Sequence, residues 1–219
     1  MLNVCPQCGL YDEEKGVHRR AGDLALAICP HCGYGQLFRW LPLFVLTGAS
    51  GAGKTAVGLE LAGAQVRGES WAPDCVYLEH DILWRDAFAD PENDYRGFRN
   101  MWLRVAKNVG QAGRPVVLCG SAVPEQYEDC PERRYFLRVH YMAFVCNDDL
   151  LRERLVARPD WRRSGSAAFL EQMVAFNRWF WENGQRTEPK IELLDTSVLS
   201  VRETARRVAD WVQTGLQEK

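Results

Sequence analysis

Residues 43–66 read LFVLTGASGAGKTAVGLELAGAQV. A short apolar run bounded by turn residues predicts a buried parallel strand over Leu43–Leu46. The stretch 54–66 predicts a helix. Between them, Gly48 to Thr55 match G-x-x-x-x-G-K-[ST] in full. A backbone that bare lets its N–H groups wrap around phosphate oxygens, and the helix N-terminus adds the positive end of its dipole. Gly48, Ser50, Gly51, Ala52, Gly53, Lys54 and Thr55 are thus the predicted nucleotide-phosphate contacts. Lys54 is expected to reach the β- and γ-phosphates of ATP, and the Thr55 hydroxyl to ligate Mg²⁺.

What happens to the phosphate depends on the rest of the chain. A second strand is predicted over 75–79 and runs into His80-Asp81. Ligands of open α/β sheets sit beyond the carboxyl ends of the strands. Asp81 is therefore expected near the γ-phosphate, where a carboxylate takes the proton of an attacking hydroxyl or helps hold Mg²⁺. Glu79 lies two residues earlier on the same face of the strand and is the competing carboxylate. Residues 94–111 predict an amphipathic helix with Phe98, Met101, Trp102, Val105 and Val109 inward. Asp94, Arg96 and Arg99 near its start are candidates for a substrate pocket. The strand predicted over 115–121 ends in Cys119-Gly120-Ser121, where a GTPase or mechanical ATPase usually carries a Mg²⁺-binding acid. The sequence also lacks an N-K-x-D motif, so both of those classes are disfavoured.

A fourth strand is predicted over 139–146. Five arginines then fall between 152 and 163: Arg152, Arg154, Arg158, Arg162 and Arg163. Arg154 and Arg158 are four apart and would share a helical face. Such a segment suits a lid that neutralises the charge of phosphoryl transfer. An aromatic helix over 167–183 follows, carrying Phe169, Met173, Phe176, Phe180 and Trp181, with Gln172, Asn177 and Arg178 as polar candidates beside them. The last strand is predicted over 190–197. The final helix is capped by Ser200 with Glu203 three residues on.

The N-terminus has a different character. Cys5-Pro-Gln-Cys8-Gly and Cys29-Pro-His-Cys32-Gly are two matching turns separated by 20 residues. Cys5, Cys8, Cys29 and Cys32 are the expected ligands of one closed, structural Zn²⁺ site. Gly9 and Gly33 stand where such a turn needs positive φ. Residues 1–38 are read as a zinc ribbon, 34–42 as a short aromatic linker, and 42–219 as the nucleotide-binding domain. The ribbon's charges balance, and the whole chain has a net charge of −2. Nucleic acid is therefore a disfavoured partner. No apolar run is long enough to span a bilayer, and the paired and scattered cysteines point to a reducing cytoplasm.

The order of elements over 42–217 resembles the P-loop small-molecule and nucleoside/nucleotide kinases, such as gluconate, shikimate and adenylylsulfate kinases. The glycine loop, Asp81, the R-L-x-x-R of Arg154–Arg158 and the L-D-T-S of 194–197 carry that resemblance. It implies an α/β fold with a doubly wound parallel sheet and an arginine-rich lid. It also implies Arg158 over the adenine, Arg154 on phosphates, Asp195, Thr196 and Ser197 along the adenine pocket, and Asp81 facing the acceptor hydroxyl. The chain departs from each named enzyme in its substrate segments, and the ribbon is no standard part of them. The expected activity is an ATP- and Mg²⁺-dependent phosphotransfer to a hydroxyl of a small molecule, with a nucleoside or nucleotide among the candidates. The alternatives are a polynucleotide 5′-hydroxyl kinase and a non-catalytic ATP-binding switch whose ribbon docks a protein.

Overall fold

The computed structural model describes residues 2–83, 91–159 and 164–218. Arg162 and Arg163 of the arginine-rich segment lie outside the described residues.

The sheet that decides the fold forms around β4 (Leu43–Gly48), every residue of which is buried. Such a continuous apolar run belongs in a strand covered on both faces. Parallel partners flank it: β6 (Val116–Cys119) on one side and β7 (Val139–Val145) on the other. With β5 (Val76–Glu79) and β8 (Ile191–Asp195) at the edges, the order is β5-β6-β4-β7-β8.

Alternation along the strands sorts the core into two layers. Leu43 and Val45 face one way, packed with Phe98, Trp102, Leu103 and Ala106 of α2 (Arg96–Gly110), with Tyr127 of α3 (Pro124–Glu128) and with Phe180 of α5 (Ala167–Asn183). Phe44 and Leu46 face the other way, against Val57 and Leu61 of α1 (Lys54–Val66) and Ala205, Val208 and Val212 of α6 (Val201–Gln217). The remaining helix, α4 (Asp148–Val156), follows β7. The Ser200–Glu203 capping box at the start of α6 is present as the spacing predicts.

One face is rotated from expectation, and α5 adds a buried polar residue. In α2, Val105 is 36% exposed, and the buried stripe runs through Phe98, Trp102, Leu103 and Ala106. In α5, Trp181 is 46% exposed because it follows the buried Phe180 by about 100° of helical rotation. The inward position that the aromatics left is taken by Asn177, fully buried, whose amide donates to the Cys146 carbonyl at 2.8 Å.

The N-terminal strands β1 (Gly16–Arg19), β2 (Leu24–Ile28) and β3 (Gly35–Arg39) form a separate antiparallel sheet. The stretch expected as a linker thus contains a strand. Phe38 points into the ribbon's small core with Leu2, Ala25 and Ala27, and Tyr135 from the main body completes it. A buried polar cluster seals the same junction. Lys107 and Glu132 are both fully buried and paired. Asn3 of the ribbon accepts from Lys107 at 2.7 Å and donates to Glu132 at 3.0 Å. Arg104 bridges Glu132 and Glu13.

Removing one partner of a buried pair leaves the other charge uncompensated, which typically costs about 3–5 kcal/mol. Glu132→Ala is therefore expected to lower the urea midpoint by an amount equivalent to roughly that loss. Adding Lys107→Met should recover most of it. An unchanged midpoint in the single variant would show that the cluster does not stabilise the junction.

Candidate functional site

The glycine loop leaves β4 at a point where only glycine fits. Gly48 has φ +129°, and a Cβ there would lie 2.5 Å from the Phe144 carbonyl oxygen. The chain then turns through Ala49–Gly53 into α1, so Lys54 opens the helix. Its ammonium reaches back to the Gly48 carbonyl at 2.7 Å, the Ala49 carbonyl at 3.0 Å and Ser121 Oγ at 3.3 Å. Ser121 in turn donates to the Gly48 carbonyl at 2.9 Å. Burial pulls the Lys54 pKa down, while the fields of Asp81 and Glu79 oppose that shift. The lysine is thus a positive charge held by neutral oxygens, ready to exchange them for charged ones.

A cleft of about 190 Å³ opens over this loop. Ser50, Gly51, Gly53, Lys54, Thr55, Asp81, Arg154 and Arg158 all line it. Residues far apart in sequence are therefore brought together as their spacing suggests. The route to Arg158 differs from expectation, however. Helix α4 ends at Val156, so Arg154 and Arg158 do not share a helical face. Arg158 precedes Pro159, and the residue before a proline is driven out of helical conformation. Arg154 is fixed by Thr196, donating to its hydroxyl at 3.2 Å and its carbonyl at 3.0 Å.

Thr196 is 4% exposed, and its hydroxyl also lies 3.3 Å from the Ala52 carbonyl and 3.2 Å from that of Val145. It ties the glycine loop, β7 and Arg154 together. Asp195 is exposed and accepts from Ser197 N at 2.8 Å and Ser197 Oγ at 2.6 Å. Neither Asp195 nor Thr196 lines the cleft over the loop.

Glu79 has a place that sequence reasoning left open. It is half-buried at the end of β5; burial raises its pKa, and a hydrogen bond from the Thr55 hydroxyl lowers it. The Thr55 hydroxyl and the Glu79 carboxylate are oxygen donors of the kind a Mg²⁺ ion takes. Strand β5 ends at Glu79, and Asp81 lies in the 3-10 turn His80–Leu83 that follows, so the two carboxylates do not share a strand face as the spacing suggested, although both act on Lys54 through space. His80 between them points the other way. It is 3% exposed, with its ring 4.4 Å from Phe98, and its Nε2 has no hydrogen-bond partner among the described residues. Burial, with Arg99 and Lys54 nearby, lowers its pKa to about 3, so it stays neutral. Asn93, Asp94, Arg96, Arg99, Glu125, Gln126 and Asp129 line a second cleft of about 360 Å³. Asp94 and Tyr95 at its edge hold positive φ, a conformation that is costly for residues with side chains.

The cysteine turns form one cluster. Gly9 and Gly33 both have φ +73°. The four sulfurs of Cys5, Cys8, Cys29 and Cys32 lie within 4.8 Å of one another. The Cys5–Cys32 and Cys8–Cys29 separations are 3.7 Å and 3.8 Å. A tetrahedral ion with bonds of about 2.3 Å needs sulfurs about 3.8 Å apart, so the donors fit a structural metal. His31 instead faces Asp12 at 3.3 Å.

No family model matches the chain, and no curated protein matches it in sequence. Solved structures do resemble it. A sugar kinase from a Janibacter species has a TM-score of 0.52 at 19% identity, covering 80% of this chain and 94% of its own. The shikimate kinase of Acinetobacter baumannii, in complex with shikimate, has a TM-score of 0.50 at 20% identity, covering 82% and 96%. The chain shares the α/β fold of these kinases, with a four-cysteine cluster at its N-terminus. Among the described residues no helix is long and apolar enough to cross a membrane.

Protein purified without added metal is expected to carry about one zinc per chain, as a closed four-thiolate site implies. A Cys29→Ser, Cys32→Ser double variant should lose it. Full occupancy in that variant, read by elemental analysis, would overturn the assignment.

Proposed function

We propose that the chain is an ATP- and Mg²⁺-dependent phosphotransferase acting on a hydroxyl of a small molecule, with a structural Zn²⁺ held by Cys5, Cys8, Cys29 and Cys32. The observation that carries this reading is the convergence of Lys54, Thr55, Asp81, Arg154 and Arg158 on one cleft. A carboxylate facing the loop can serve Mg²⁺ in any nucleotide site; transfer to an alcohol gives a carboxylate there a further task, because the attacking oxygen must lose a proton.

In this reading the phosphates of ATP lie along the glycine loop, and the Lys54 ammonium moves from the Gly48 and Ala49 carbonyls to the β- and γ-oxygens. Thr55, with Glu79 behind it, would hold Mg²⁺, which would neutralise charge on the transferring phosphoryl group. The acceptor oxygen attacks the γ-phosphorus, the bond to the β,γ-bridging oxygen breaks, and ADP leaves. Asp81 takes the acceptor's proton. Arg154 and Arg158 stabilise the charge that develops, and Arg158 covers the nucleotide. The acceptor occupies the cleft at Arg96 and Arg99, whose guanidinium groups, mixed with the carboxylates of Asp94, Glu125 and Asp129, suit a polar molecule rich in hydroxyls. The 360 Å³ of that cleft matches a small metabolite rather than a polymer.

A screen of metabolites, nucleosides and oligonucleotides with labelled ATP tests the activity. Product with a small acceptor is the expected result. Label transferred only to an oligonucleotide 5′-hydroxyl would replace this reading with the polynucleotide kinase. ATP binding without transfer to any acceptor would leave a switch.

The residue roles separate in binding and single-turnover assays. Lys54→Ala should weaken ATP binding and abolish transfer while the fold persists. Loss of a positioned base costs about 10²–10⁴-fold in rate, so Asp81→Asn should slow turnover by roughly that factor with ATP affinity little changed. Arg158→Ala should act mainly on ATP affinity. An Asp81→Asn variant as fast as the parent would move the base role elsewhere.

A further inference from the structure

A second cleft, of about 490 Å³, lies where the ribbon meets the main body. Lys15 and Val17 of the ribbon form one wall, and Trp40, Arg133, Arg134 and Phe136 form the other. It sits at the far end of the sheet from the glycine loop. Arg134 belongs to the turn that leads into β7, whose first residue, Val139, pairs with Leu43 at the start of β4. The loop leaves β4 at its other end, roughly 16 Å away at about 3.3 Å per residue.

Lys15 is only 1% exposed. Its ammonium makes no hydrogen bond or ion pair with any described residue, although its chain lines the cleft. The ammonium keeps access to the cleft, and no carboxylate of the described residues lies within 4.0 Å of it. Of the four acids that balance the ribbon in the sequence, Asp12 pairs with His31, Glu13 with Arg104 and Asp23 with Arg39, while Glu14 is exposed and lies beyond 4.0 Å of the Lys15 ammonium. Glu132 is spent on Lys107 and Arg104. Arg134 uses only its Nε, donating to the Pro131 carbonyl at 2.9 Å, and has no carboxylate within 4.0 Å among the described residues. The turn carrying it is fixed by Trp40, whose Nε1 donates to the Arg134 carbonyl at 3.1 Å. Arg133 is already bound to Glu128 at 2.7 Å and adds little net charge.

We infer that this cleft binds a phosphate group, with Lys15 and Arg134 as its cationic contacts. A tetrahedral dianion accepts from a compact ammonium and a planar guanidinium at once, which one carboxylate does less well. The volume leaves room for more than the phosphate itself, so the group belongs to a larger molecule. Two sources share this chemistry, a small phosphorylated ligand and the backbone of a single strand. The site stands whether or not the chain proves to be a kinase.

Calorimetry on the full, zinc-loaded chain tests the site, with Lys54→Ala as background so that the glycine loop does not contribute. Inorganic phosphate, pyrophosphate and single-stranded oligonucleotides of increasing length are the probes. Pyrophosphate is expected to bind once per chain, and adding Arg134→Ala should weaken it by about tenfold or more. Lys15→Met should do the same. If Lys15→Met does not fold, Arg134→Ala, at a half-buried position, decides alone, with zinc content and thermal midpoint as fold controls. Affinity that climbs with oligonucleotide length assigns the phosphate to a strand, and affinity independent of length assigns it to a free ligand. Absence of binding in the Lys54→Ala chain, or binding indifferent to Arg134→Ala, overturns the site.

Discussion

The approach of Gly48 to the Phe144 carbonyl fixes where the glycine loop begins. The pairing of β4 with β7 extends through Gly48 and Phe144, so the loop starts on the sheet itself instead of on a flexible extension. Any side chain at residue 48 would push the two strands apart at that point. The Gly48 carbonyl, held there, then receives both Lys54 and Ser121. Thr196 makes the corresponding tie from β8, joining the Ala52 and Val145 carbonyls. Three neighbouring strands thus determine the position of one short loop, which is how a rigid scaffold gives a loop the precision that chemistry needs.

The charges over the loop have a consistent arrangement. Lys54 is buried among neutral oxygens, with the carboxylates of Asp81 and Glu79 acting on it through space. His80, between those carboxylates, is turned into the apolar layer with Phe98 and Trp102 and kept neutral. Gly120 makes that possible, since a Cβ there would lie 2.5 Å from the Cβ of His80. The Cys119-Gly120-Ser121 ending of β6 is accordingly a packing solution: glycine admits the histidine, and serine holds the lysine.

The sheet was readable because its strands are short, unbroken apolar runs bounded by glycine and proline, and the glycine loop fixed the central one. The cysteine cluster was readable because metal geometry demands its spacing. Rotations and boundaries were less so. Val105 is apolar and fits an inward face by periodicity, yet tertiary packing selects Ala106 beside it. A polar Asn177 inside α5 follows from the unpaired Cys146 backbone groups at the end of β7, a need invisible in the helix's own sequence. Arg158 reaches the cleft through the Pro159 break, not through helical spacing. The strand over 35–39 was mistaken for a linker because its alternation is short and its one deeply buried residue, Phe38, packs on Tyr135 nearly a hundred positions away.

Helix α2 connects the two ends of the molecule. Its first turn carries Arg99 to the proposed acceptor cleft, and its later turns carry Arg104 and Lys107 to Glu132 at the ribbon. Arg99 and Lys107 are about 12 Å apart along a rigid helix. The ribbon supplies Asn3, which bonds both members of the Lys107–Glu132 pair, and the cation lies 4.0 Å over the Tyr135 ring. Without the ribbon, this pair would lose its cover and its bridging amide. Water would then reach a charge pair whose geometry sets how α2 sits on the sheet. A module built around the four-cysteine cluster, with no residue in the cleft over the glycine loop among the described residues, can therefore still bear on the placement of Arg99, because the helix transmits position over that distance without an intervening hinge.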